Sequence, residues 1–61
     1  MTYKQKLDEI KELCDFRLYH VADKRIDEIY EDYSSGRIWL SQQESEYMFL
    51  LLNRISHELY G

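Results

Sequence analysis

The sequence predicts an all-α protein: a long first helix over residues 2–34, a connector over 35–40 and a second helix over 41–59, folded back as an antiparallel hairpin in one small domain. Three observations carry this. Apolar residues recur at steps of three and four along most of the chain, no proline interrupts them, and two Ser/Thr-x-x-Gln/Glu segments stand where helices should begin.

Thr2-Tyr3-Lys4-Gln5 has the form of a capping box. Behind it Leu7, Ile10, Cys14, Leu18 and Val21 share one helical face, and Ala22, Ile26, Ile29, Tyr30 and Tyr33 form a second stripe rotated by about 100°, the angle of one residue. The slip falls between His20 and Arg25. No Gly or Pro breaks the chain there, so continuity is expected, with a kink or restart capped by Asp23 as the alternative. A continuous helix over residues 2–34 would be roughly 50 Å long.

Ser34-Ser35-Gly36 should end this element, with Gly36 in the left-handed conformation that follows many helices. Ile38, Trp39 and Leu40 are too apolar for a solvated linker and are expected to plug the end of the core. Ser41-Gln42-Gln43-Glu44 is the stronger capping box, because an apolar run follows it directly. The second helix then presents Met48, Leu51, Leu52, Ile55 and Leu59 as its core stripe.

A hairpin needs one stripe per helix, so the apolar residues outside those stripes bear on function. Leu13 and Phe16 lie on a second face of the first helix. Tyr30 and Tyr33 border the acidic segment, and Tyr47, Phe49 and Leu50 complete the run YMFLLL, which at 100° per residue goes round the whole helix. With Trp39, these eight are the expected protein-binding residues. Contiguous apolar patches mark contacts, which leads to the expectation of self-association into a dimeric four-helix bundle, or of a larger protein covering the same surface.

Composition excludes several classes. At 61 residues, 44% hydrophobic and 15% aromatic, the chain is a small folding domain rather than a disordered segment. A net charge of −4 has the wrong sign for holding phosphate backbones, so no direct nucleic-acid ligand is expected. The longest apolar run is six residues, far short of the ~20 needed to cross a bilayer. One cysteine and no secretory leader point to the cytoplasm. Neither a glycine-rich phosphate loop nor a nucleophile or metal motif is present, so the chain is read as a non-enzyme without cofactor or metal.

The chemistry-bearing residues have plain readings. Cys14 lies on the main stripe and is read as a buried inert thiol. His20 with Asp23 and Asp27 has helical spacing but too few ligands for a metal site, and His57 suits a helix C-terminus. The acids Asp23, Asp27, Glu28, Glu31 and Asp32 are unusual, because like charges four apart cost a few tenths of a kcal/mol each. They form a patch suited to a basic protein surface.

The functional expectation is a small adaptor or inhibitor that acts by binding a larger protein, in the style of bacterial and phage regulators. The alternatives are a nucleic-acid mimic acting through the acidic patch and a structural oligomerisation subunit.

Overall fold

A computed structural model describes residues 2–61, and among them the chain forms three helices and no strand. Helix α1 spans Tyr3–Asp15, α2 spans Tyr19–Ser34 and α3 spans Gln42–Tyr60. The expected capping box opens α1: the Thr2 hydroxyl accepts from the Gln5 N–H at 3.2 Å, and the Gln5 side chain accepts from the Thr2 N–H at 3.0 Å. Leu7, Ile10 and Cys14 are the buried face of α1.

The long first helix is broken, and not at Asp23. It ends at Phe16, where Arg17 adopts φ 62°, in the left-handed region that side chains other than glycine seldom occupy. The Arg17 N–H bonds the Cys14 carbonyl at 2.9 Å and the Leu18 N–H bonds the Leu13 carbonyl at 2.8 Å, which together close a Schellman motif. Leu18 is at once the last residue of this motif and the N-cap of α2, and it supplies no side-chain cap. Asp23 instead lies inside α2, so it starts nothing.

Size explains why the chain turns. The longest extent of the molecule is 28 Å, about half of what a continuous helix over residues 2–34 would need. The turn also accounts for the slipped stripe. Beyond it Ala22, Ile26 and Ile29 are buried, while Leu18 and Val21, expected to continue the core of α1, are 49% and 45% exposed.

Helix α2 closes at Ser35, followed by Gly36 at φ 81°, as its residue type predicts. In the connector Leu40 is buried and Ile38 is half-buried, but Trp39 points out and is 80% exposed, so the expected plug lacks its largest side chain. The second capping box is present: the Ser41 hydroxyl accepts from the Glu44 N–H at 3.1 Å, and Glu44 accepts from the Ser41 N–H at 2.9 Å. Met48, Leu51 and Ile55 are the buried face of α3.

Two side-chain contacts define the topology. Tyr47 reaches Asp8 and Arg54 reaches Asp15, and both pairs are 39 residues apart, so α1 and α3 run parallel. The short connections make α2 antiparallel to both. All three helices pack on one another in an up-down-up arrangement. Among the described residues the core is wholly apolar, with no polar or charged side chain buried in it. A two-helix hairpin would leave that core half covered; the third helix closes it.

Candidate functional site

The structure sorts the eight residues expected to bind a partner into two groups. Leu13, Tyr33 and Tyr47 are half-buried and pack against the core. Tyr47 is also engaged within the molecule, donating from its hydroxyl to Asp8 Oδ1 at 2.7 Å. Burial, reinforced by the Asp8 carboxylate, pushes its phenol up to about 12, and that bond and Lys4 hold the Asp8 carboxyl below its usual range. The other five, Phe16, Tyr30, Trp39, Phe49 and Leu50, are exposed.

Sequence reasoning missed Leu18 and Val21, which are exposed too. Leu18 and Val21 carry no local signal, since their spacing fits the buried stripe and only the turn at Arg17 rotates them outward. Tyr60 lies in the last turn of α3 at 76% exposure, where the helix is about to end.

These residues fall on two surfaces. The first is built by α1 and α2 around the turn. Leu13 and Phe16 line a groove with Glu9, Glu12 and Arg25, and Arg25 also borders a shallow hollow with Val21, Lys24 and Glu28. Both signs of charge frame it.

The second surface lies across α2 and α3. The rings of Tyr30 and Phe49 meet edge to face, with centroids 6.1 Å apart. That geometry sets the positive edge of one ring against the negative face of the other. Glu46, Phe49, Leu50 and Asn53 line one continuous depression on α3, as their spacing of three, one and three predicts. Leu50 is 69% exposed in the middle of the longest helix.

The acidic patch divides between the two surfaces. Glu28 and Asp32 line a groove between α1 and α2 together with Lys6 and Arg25, and Asp32 also pairs with Arg37 at 3.2 Å. Asp23 and Asp27 continue the helical line of Tyr30, at steps of four and three, on the side turned to α3. The Asp27 carboxyl is raised, first by partial burial and then by the charges of Asp23 and Glu31. Among the described residues, neither Asp27 nor Glu31 has a cationic partner.

The remaining candidates are quiet. Cys14 is buried, and burial pushes its thiol up, away from the thiolate that nucleophilic chemistry needs. His20 and His57 are exposed. No three His, Cys, Asp or Glu side chains converge among the described residues, and no helix there is long and apolar enough to cross a membrane.

Comparison of the chain with family models, with curated proteins and with solved structures yields no match. The fold and its surfaces therefore define a class by themselves: a small all-helical domain with a closed core and exposed aromatic and aliphatic side chains on two faces.

Proposed function

We propose that the chain is a small acidic protein-binding module of the cytoplasm, an adaptor or inhibitor that acts by docking on a larger protein, as bacterial and phage regulators do. One observation carries the reading. The core is already complete, yet Tyr30, Phe49 and Leu50 form a contiguous apolar surface outside it. Isolated exposed apolar residues are ordinary, but a contiguous group offers area that only a partner can cover.

Capture from the native cell, followed by mass spectrometry, tests this. The natural chain should retain a specific protein, and at least one of the variants substituted at Leu50, Trp39 or Phe16 should lose it while keeping its helical circular dichroism. Equal capture by every variant would refute the reading.

The α1–α2 surface supports a second mode, the pairing of two copies. Leu13, Phe16 and Val21 are framed by Glu9, Glu12, Lys24 and Arg25, so a two-fold axis can set acids of one copy against bases of the other. Two α1–α2 pairs face to face would form a four-helix bundle, and such a dimer could also serve as a structural oligomerisation subunit. Sedimentation at micromolar concentration should then report a dimer that Phe16→Ser reduces to a monomer. A nucleic-acid mimic has less support, because Glu28 and Asp32 lie beside Lys6, Arg25 and Arg37 rather than in an unbroken acidic array.

A further inference from the structure

The α2–α3 surface differs from the α1–α2 surface in the sign of its charge. Arg54 is the only Lys or Arg in α3, and it is turned away to Asp15 on α1 at 3.0 Å. On α2, Lys24 and Arg25 border the hollow with Val21 and Glu28. By helical spacing Asp27 lies one turn from Tyr30 on α2 and Glu31 follows it directly, and Glu46 lines the depression with Phe49 and Leu50 on α3.

We infer that this surface receives a cationic amphipathic helix of a partner protein, with the partner's apolar stripe against Tyr30, Phe49 and Leu50 and its Lys and Arg side chains against Asp27, Glu31 and Glu46. The inference rests on the protein-binding reading and names the partner's chemistry. Three physical points lead to it.

The depression from Glu46 to Asn53, with Phe49 and Leu50 between its polar ends, runs along α3 for roughly 10 Å, about two helical turns, the length over which a docked helix presents anchors at i, i+3, i+4 and i+7. Among the described residues Asp27, Glu31 and Glu46 have no cationic partner, and Asp23 and Glu31 repel Asp27 along α2. A cationic partner removes that repulsion as it binds. A second copy of the same face does the reverse, bringing acid against acid, so charge complementarity selects a different, basic partner over self-pairing here.

The test uses the full chain and synthetic peptides of about five helical turns, roughly 18 residues. One peptide has leucines on a single helical face and lysines elsewhere. A second replaces the lysines with glutamates, and a third keeps the composition of the first but scatters the leucines. Binding is followed by amide chemical shifts, which report location as well as affinity.

The first peptide should bind with shifts centred on Tyr30, Glu31, Glu46, Phe49 and Leu50, and its affinity should fall as salt rises from about 0.02 to 0.15 M. Leu50→Gln should weaken it roughly 30-fold, the loss expected of a central anchor. The paired change Glu31→Gln and Glu46→Gln should flatten the salt dependence.

Several outcomes overturn the inference: no binding of the lysine peptide, equal binding of the glutamate or scattered peptide, or shifts centred on Phe16 to Val21. Concentration-dependent shifts at Phe49 and Leu50 without any peptide would assign the face to a second copy and overturn it as well. If the peptides fail while capture from the native cell is lost in the Phe16 or Trp39 variant, the surface is wrong and the protein-binding reading stands. Failure of both removes that reading too.

Discussion

At the end of α1 the Leu18 N–H bonds the Leu13 carbonyl and the Arg17 N–H bonds the Cys14 carbonyl; at the end of α2 the Arg37 N–H bonds the Asp32 carbonyl and the Gly36 N–H bonds the Tyr33 carbonyl. The two turns share one backbone pattern, a Schellman motif with its fifth residue in the left-handed region. Their chemistry is opposite. Gly36 adopts φ 81° without a Cβ to penalise, whereas Arg17 holds φ 62° at a cost of about 1 kcal/mol. The second turn is reinforced by the Arg37–Asp32 pair and leads through Leu40 to a capped helix, while the first leads directly into α2 with no side-chain cap.

The difference teaches which force makes each turn. Residue type alone accounts for Gly36. At Arg17 the local preference loses, because each buried Leu, Ile or Met contributes roughly 1.5–3 kcal/mol and the turn lets the faces of α1 and α2 meet α3 together. Tertiary burial exceeds the backbone cost several times over.

The largest expected effect tests what each turn anchors. Leu40→Ala, which empties a buried site just after the second turn, should lower unfolding free energy by about 2–4 kcal/mol in urea denaturation. Trp39→Ala and Phe16→Ser should change it by less than about 0.5 kcal/mol, since both side chains are exposed. A large loss from either would mean that the exposed aromatics are structural.

The turns themselves should respond with opposite signs. Gly36→Ala should destabilise by about 1 kcal/mol, entirely through the backbone, because a Cβ there meets no atom within 4 Å. Arg17→Gly should stabilise by about 0.5–1 kcal/mol, and failure to do so would show that Arg17 is not strained.

Caps give a somewhat smaller contrast. Ser41→Ala should cost about 1 kcal/mol by removing the acceptor for the Glu44 N–H, whereas Leu18→Asp, which offers α2 the cap it lacks, should gain about 0.5 kcal/mol in thermal unfolding.

The smallest effect lies between the turns. The raised Asp27 carboxyl means that ionisation costs more in the folded chain than in the unfolded one, so this stability is full below the ordinary value of 3.8 and is lost as pH rises through the higher folded value. Asp27→Asn should therefore gain about 0.3 kcal/mol at neutral pH, a gain that disappears in acid. The opposite sign would mean that an unseen cation already faces Asp27.

Much of the fold was legible in the residues. Both capping boxes form as Thr2, Gln5, Ser41 and Glu44 predict, Gly36 ends α2, and the core stripe of α3 is buried at Met48, Leu51 and Ile55. The slipped stripe was visible too, but its cause was misplaced by several residues. Periodicity reports a change of face only after enough residues have accumulated on the new one, and nothing in the type of Phe16, Arg17 or Leu18 marks a left-handed turn. The surface was half legible. The surplus in YMFLLL led to Phe49 and Leu50, but Tyr47 is held by Asp8, a contact 39 residues away that no local pattern contains.

The sequence by itself determined where the helices start, which side chains are available to fill a core and that the chain is acidic, because caps, periodicity and charge are properties of neighbouring residues. Only the tertiary structure decided that there are three helices rather than two, that Leu18, Val21 and Trp39 face outward, and that Glu28 and Asp32 lie beside basic side chains while Asp27 and Glu31 have no cationic partner among the described residues. Those outcomes depend on which helix faces which, and that is settled by burying Leu7, Ile26 and Met48 together, at a cost in backbone strain that Arg17 alone would never choose.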